Sequence, residues 1–329
     1  MPTPIAAALN RLSLGEPTSF RNLSLFPLVA PSDTLPGYVP LAEALQKGEA
    51  KVTEVSAGGA VPELLLDNGS EKRVLLLDGD ELVGAKQNRV LNITILVGAH
   101  RKVVIPVSCV ERGRWHARSS EFRSEDRMMF ARGRAAKMDS VSRSMRETGT
   151  RHSDQGAVWQ SVSSKVSLFQ AAAPTEAMSD VYAHVSRDTT DFRLAFRPVA
   201  RQVGGLFAID GRPAGVELFD APSTFASTLG RLVESYAMDA IETHGRTAPA
   251  ASAEAAADFL TRTADATATT VKAVGEGEDV RLEARGLVGQ ALVVDGNVIH
   301  LSALAFAREG GRSERASDRA RRISRRPRD

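Results

Sequence analysis

A chain of 329 residues, 43% hydrophobic and 25% charged, has the length of about two average domains and the balance of a folded globular protein. That excludes wholesale disorder, a fibrous repeat and a disulfide-built miniprotein; the one cysteine, Cys109, can make neither an internal disulfide nor, alone, a zinc or iron–sulfur site. The net charge of +2 is uneven, because Arg308 to Asp329 holds nine arginines against four acids, leaving the other 307 residues at −3.

In chain order, the opening MPTPIAAALNRL lacks the basic start and long apolar stretch of a signal peptide, and no run approaches ~18 apolar residues. The sequence therefore predicts a cytoplasmic protein without membrane association. From about Leu14 to Glu111 short apolar or alternating runs, among them Glu63–Leu66, Arg73–Leu77 and Val90–Val97, are punctuated by Asn68-Gly69 and Asp78-Gly79. Such dipeptides supply the positive φ of tight hairpins, so this half predicts an antiparallel meander, interrupted by a short amphipathic helix at Val39–Lys47.

After Ser119 the period changes. Met128, Ala131, Ala135, Met138 and Met145 recur every three to four residues, predicting a helix opened by Ser124 with arginines 127, 134, 143 and 146 off its apolar stripe. Further helices are expected from Asp154 to Phe169, from Thr175 to about Phe192, and along Phe225–Ile241, whose apolar residues line one face for more than four turns. Val203–Ile209 and Ala214–Phe219 flank Asp210-Gly211 as a hairpin. An Ala/Thr-rich connector, Thr247–Thr270, carries a helix at Ala253–Thr263, and four short strands follow, the last pair joined by Asp295-Gly296. The fold class is α+β: a strand-rich part at 14–118, a helical part with a hairpin at 119–245, C-terminal strands at 268–302, and a basic, disordered tail at 306–329.

Two segments carry chemistry. Asp78-Gly79-Asp80-Glu81-Leu82-Val83-Gly84-Ala85-Lys86-Gln87-Asn88-Arg89 sets a dense polar run between aliphatic strands. In extended chain Lys86 and Asn88 share one face and Gln87 and Arg89 the other, so all four meet one ligand only if the backbone bends, which Gly84 permits. In Ile105-Pro106-Val107-Ser108-Cys109-Val110-Glu111-Arg112-Gly113-Arg114-Trp115, Cys109 and Glu111 share a face, opposite Ser108 and Val110. A lone cysteine is a nucleophile only with a lowered thiol pKa and a base nearby, for which His116 and His152 are candidates. The six histidines form no metal-ligand spacing, no phosphate loop or dinucleotide fingerprint exists, and no cofactor is specified.

These two runs, with Asp-Gln-x-x-Val-Trp at 154–159, Val-Gly-Gly-Leu-Phe-Ala-Ile-Asp-Gly, Glu-Leu-Phe-Asp and Ser-Tyr-Ala-Met-Asp-Ala-Ile further on, resemble the ARPP domain family, the ADP-ribosylglycohydrolase and rhodanese-phosphatase-superfamily-associated proteins, over residues 10 to 305. The resemblance implies a place near ADP-ribose or NAD-derived metabolism, without a reaction. Its motif positions fall on Glu81, Lys86, Gln87, Asn88, Arg89, Cys109, Glu111, Arg114 and Trp115.

The expectation is that the two motif strands lie side by side and line one pocket for a small anionic molecule. Lys86, Gln87, Asn88, Arg89, Arg114 and Trp115 bind it, Glu81 or Glu111 acts as general base, and Cys109 is the nucleophile candidate. Whether the site is enzymatic stays open. The rival is a non-catalytic scaffold or ligand-sensing module whose polar cluster is structural. A third reading, weak and salt-sensitive nucleic-acid contact, rests on the arginine tail alone. Oligomeric state has no signature in the sequence.

Overall fold

The computed structural model describes residues 3 to 307 apart from 57 and 244 to 250. Six strands close into an antiparallel barrel: Arg101–Cys109, Glu63–Asn68, Ala50–Glu54, Phe122–Met128, Asp80–Gly84 and Arg89–Leu91, in that order round the wall. Residues directly opposite each other in an antiparallel pair project to the same face. The pairs Val52↔Leu66, Ile105↔Leu64 and Val107↔Leu91 thus point inward together, and their side chains form one buried cluster that fills the barrel. The same register turns Glu54, which pairs with Leu64, and Arg89, which pairs with Cys109, toward the interior at one end. Apolar fill in the middle and polar groups at one mouth is the feature that positions the candidate site.

A three-stranded sheet, Ile95–Val97, Arg73–Leu76 and Tyr38–Pro40, adjoins the barrel, its last pairing parallel. The remaining strands build one nine-stranded antiparallel sheet drawn from both halves of the chain. Leu23–Val29 leaves the N-terminal strands and inserts beside Gln202–Ile209. Its sequence LSLFPLV buries its first six residues on both faces, as an interior strand does, so nothing local says which sheet it joins. Gln202–Ile209 continues into Arg212–Phe219 through Asp210-Gly211, and Leu287–Val294 into Asn297–Ala305 through Asp295-Gly296. Both dipeptides have positive φ at each residue, the geometry a two-residue hairpin loop requires.

Helix Pro222–Ala240 lays Phe225, Leu229, Leu232 and Tyr236 on one face of this sheet, with the Tyr236 ring stacked on Phe207 at 4.1 Å. Pro4–Leu9 and Ala253–Ala264 cover the other face through Ile5 and Phe259. Gln155–Phe169, capped by the Asp154 carboxylate accepting from the Ala157 N–H, and Met178–His184 pack on the outer barrel wall at Val90 and Val110.

Three expectations are corrected here. Ser124 does not open a helix: it lies in strand Phe122–Met128, and the helix runs over Ala131–Thr148. Closing the barrel needs that strand, and a register shift between Ser124 and Met128, with Asp126 at φ 51°, hides its alternation. Arg134, expected off the apolar stripe, is fully buried, because this helix is wedged between barrel and large sheet and buries more than one face. The stretch expected as one helix to Phe192 is two, Met178–His184 and Ser186–Ala195, broken at Val185. The arginine tail, with the nucleic-acid reading that rests on it, and the first part of the connector lie outside the described residues. Among the described residues no helix is long and apolar enough to cross a membrane.

Candidate functional site at the barrel mouth

The two motif strands are neighbours. Arg89–Leu91 pairs with Val107–Cys109 on one side and with Glu81–Leu82 on the other. Between Gly84 and Arg89 the chain leaves extended geometry, with Gly84 at φ 136° and Ala85 at φ 39°. A Cβ at Gly84 would sit 2.6 Å from the Glu121 carbonyl, so only glycine allows the bend against the adjoining strand. The bend does not gather all the motif residues into one place. It distributes them over two clusters, one on the barrel's inner face and one outside it.

Inside the mouth, the Arg89 guanidinium is fully buried and donates one bond, from Nη1 to the Gln87 side-chain oxygen at 3.0 Å. The Cys109 thiol donates to the same oxygen at 3.0 Å. Among the described residues Arg89 Nε and Nη2 have no hydrogen-bond partner, and neither does the buried Oε2 of Glu54. The Trp115 ring, about half exposed, lies over the cluster with Lys86 Nζ and Arg89 Cζ at 5.5 and 5.7 Å from its centroid. Lys86 Nζ also donates to the Gly58 carbonyl. Burial lowers the Arg89 pKa from its ordinary value. Burial also pushes the Cys109 thiol up, against the smaller opposing pull of Arg89. Gln155 locks the strand end, accepting from the Cys109 N–H and donating to its carbonyl, both at 2.8 Å. Among the described residues the thiol lies against the Gln87 oxygen and the Glu111 carbonyl, Trp159 also acts on it, and neither His116 nor His152 bonds it. A protonated thiol without a base is a hydrogen-bond donor, not an activated nucleophile.

Outside the mouth, Glu111 and Arg114 form a closed clamp. Arg114 Nε and Nη2 donate to the two oxygens of Glu111 at 2.8 and 2.6 Å, a bidentate pair, while the Asn88 N–H and the Thr175 hydroxyl donate at 3.1 and 3.0 Å. Burial works against the Glu111 charge, yet Arg114, Asn88 and Thr175 together hold its carboxyl below the usual range. Arg114 also donates to the Ala85 carbonyl at 2.6 Å and to Asn88 Oδ1 at 3.2 Å, tying the bend to the second motif. Against this clamp lies a cavity of about 360 Å³, whose lining includes Gly84, Asn88, Arg118, Arg123, Ser179 and Asp180 besides Glu111 and Arg114. Burial, and then the Glu111 charge, push the Asp180 carboxyl up. Arg118, Arg123, Thr175 and Asp180 lack any sequence signal: they reach the cavity through loop and helix placement.

Glu81 belongs to neither cluster. It pairs with Val90 and so faces outward, where it accepts from Arg127 at 2.8 Å; burial outweighs Arg127 and raises its pKa.

A further polar cluster joins the barrel to the large sheet, drawing Asp78 from the first motif run, Glu217 from Glu-Leu-Phe-Asp and Tyr236 from Ser-Tyr-Ala-Met-Asp-Ala-Ile. Arg134 Nη1 donates to Glu217 at 2.7 Å, Nη2 to Ser302 at 3.0 Å, and Nε to Asp78 at 3.3 Å. Lys137 donates to Asp78 and to the Leu91 carbonyl, and Tyr236 to Glu217 at 3.0 Å. Burial opposes the Glu217 charge, but Arg134 and His300 prevail and bring its carboxyl down to about 2. Among the described residues no group of three or more His, Cys, Asp or Glu side chains is placed to hold a metal ion.

A closed antiparallel barrel fused to a large antiparallel sheet, with a polar site where two motif strands meet at one rim, defines this class of α+β protein. Residues 11–304 match the model of ARPP-1, the ARG and Rhodanese-Phosphatase-superfamily-associated Protein domain, and the chain belongs to that family. No curated protein and no solved structure matches the chain.

Proposed function

We propose that the protein binds a small anionic metabolite, of the ADP-ribose or NAD-derived kind, in the cavity beside the Glu111–Arg114 clamp. One observation carries this reading: the two motif segments supply the cavity's floor through Gly84, Asn88, Glu111 and Arg114, and Arg118 and Arg123 stand in its wall. Three arginines against two carboxylates, Glu111 and Asp180, leave the lining with a positive surplus. A volume of about 360 Å³ falls at the lower end of the range of small-molecule sites, and suits a phosphorylated sugar better than a whole dinucleotide. The family's association with ADP-ribosylglycohydrolase and rhodanese-phosphatase proteins supports the metabolite class. Asp180, whose carboxyl burial and the Glu111 charge push up, is the acid in the cavity that holds its proton more readily, whereas Glu111 is held as the anion.

The closed clamp favours the rival, a non-catalytic scaffold, because every oxygen of Glu111 is satisfied within the protein. Thermal unfolding separates the two. The panel is NAD, ADP-ribose, ADP-ribose 1″-phosphate and inorganic phosphate, against wild type and an Arg118→Ala, Arg123→Ala variant that leaves the clamp intact. A ligand at about 100 times its Kd stabilises by about 2.7 kcal/mol, which raises the Tm of a chain this size by roughly 5 °C. A rise with one compound, lost in the variant, is the expected result; flat midpoints with all four transfer the case to the scaffold.

A further inference from the structure

Arginine side chains recognise oxyanions most strongly through two parallel N–H groups, and Nε with Nη2 form one such edge. The molecule shows that edge in use a few residues away, where Arg114 Nε and Nη2 take the two oxygens of Glu111. Arg89 presents the same two nitrogens, Nε and Nη2, without a partner among the described residues, on a side chain that is fully buried. Its third nitrogen is fixed by Gln87, so the guanidinium plane is held and cannot simply rotate to satisfy itself. Leaving charged N–H groups buried and unpaired costs several kcal/mol in general, and folds do not retain that cost without a return.

The surroundings match an anion. Lys86 and Arg89 both approach the Trp115 ring, and the carboxylate on the same inner face is Glu54. Two cationic side chains against one carboxylate leave the mouth one positive charge in surplus. Trp115 is 48% exposed, so the aromatic cover over Arg89 is itself the part of the cluster that meets solvent. Cys109 and Gln87 complete the floor.

We propose that the barrel mouth is a second anion site, distinct from the outer cavity, in which the Nε–Nη2 edge of Arg89 takes two oxygens of a phosphate or carboxylate group beneath the Trp115 ring. The site does not depend on the cavity reading, since Arg89, Gln87, Cys109 and Trp115 are absent from that cavity's lining. The occupant is a phosphoryl or carboxyl group, free or as the terminus of a larger metabolite, and Trp115 moves aside to admit it.

The test uses the full chain with inorganic phosphate and acetate as separate probes, taken to tens of millimolar at constant ionic strength. Two readouts report on the site: the emission of Trp115, read in a Trp159→Phe background because the chain has two tryptophans, and the rate at which iodoacetamide alkylates Cys109, the chain's one thiol. In this background, saturable change of emission with several-fold slower alkylation is expected. Phosphate alone acting assigns a tetrahedral phosphoryl group, acetate alone a carboxylate, and both the shared oxyanion chemistry. Arg89→Met should abolish both responses, and Trp115→Leu, a change at a half-exposed position, should weaken binding several-fold. Arg118→Ala with Arg123→Ala should leave them intact, which separates this site from the outer cavity. No saturable response to either probe overturns the proposal. So does a response that survives both Arg89→Lys and Arg89→Met, or, if Arg89→Met fails to fold, one that survives Arg89→Lys and Trp115→Leu.

Discussion

Two arginines in this molecule are buried to the same degree and treated in opposite ways. Arg134, between barrel and large sheet, has all three nitrogens engaged, with Glu217, Asp78 and Ser302 as partners. Arg89, at the barrel mouth, has one nitrogen engaged and two without partners among the described residues. A buried polar network satisfied at every member fixes the relative placement of the elements that contribute to it. One with charged N–H groups left over fixes nothing further and is costly as it stands. Burial alone therefore does not tell these two arginines apart; the partners of each guanidinium do.

The largest expected effect tests the closed cluster. Arg134→Met leaves Glu217 and Asp78 buried without their guanidinium and should cost about 3–5 kcal/mol in urea denaturation. Arg89→Met removes a poorly compensated charge and strands no carboxylate in contact with it, so it should change stability by no more than about 1 kcal/mol in either direction. Equal losses in the two variants would break the distinction.

The next effect is acid sensitivity. Glu217 titrates at about 2 in the folded protein against an ordinary 4.5. A depressed folded pKa gives stability that is complete above the unfolded value, so this contribution, about 3 kcal/mol, should be lost as pH falls from about 4.5 toward about 2. Glu81 has the opposite sign: its folded pKa is raised, so its anion is the strained form, and lowering pH toward 4.5 relieves it. Denaturation across a pH series should show Glu217→Gln flattening the acid limb and Glu81→Gln flattening the slope above pH 4.5. An unchanged acid limb in Glu217→Gln would place the acid-labile group elsewhere.

A smaller effect concerns the bend that divides the motif between inner and outer clusters. Gly84→Ala meets both a positive φ of 136° and a carbonyl at 2.6 Å, and should cost about 1–3 kcal/mol. Gly286, at φ 75° with nothing within 4 Å of an added Cβ, is the control, and Gly286→Ala should cost about 1 kcal/mol. Unfolding curves that rank the two the other way would remove the close approach at Gly84 as the reason for glycine there.

Much of this arrangement is readable from residues, and the unreadable part has a common cause. The hairpins at Asp210-Gly211 and Asp295-Gly296, the helix capped by Asp154 and the apolar stripe of Phe225–Ile241 follow from local pattern, because turn chemistry, capping and periodicity are local forces. The side-by-side motif strands, and the bend allowed by Gly84, are legible in the same way. Barrel closure is not local: Phe122–Met128 is a strand because Asp80–Gly84 and Ala50–Glu54 need a partner between them, and its bulge conceals the pattern that would reveal it. Alternation does separate Gln87 and Arg89 from Asn88, but it also puts Cys109 and Glu111 on one face, and because the strand ends at Cys109 the chain turns Glu111 to the outer cluster instead. Glu54 and Asp180 join the two clusters from segments without any polar run of their own.

The smallest effect is the most direct probe of the open cluster. Burial raises the Cys109 thiol above its ordinary 9.0, and Arg89 is the strongest of the influences pulling it back down. Alkylation of the native protein should therefore keep accelerating with pH beyond the range where a free cysteine has levelled off. Arg89→Met takes away the charge that favours thiolate, so the midpoint of its rate profile should move further up. Lys137→Met, in the closed cluster, should leave that midpoint in place. The midpoint, rather than the absolute rate, is the quantity to read, because access to a buried sulfur sets the rate in all three proteins while only the electrostatics of the mouth sets the pH at which it turns. If Arg89→Met and Lys137→Met shift it equally, Arg89 does not act on the thiol across the mouth, and the inner cluster is not the coupled site described here.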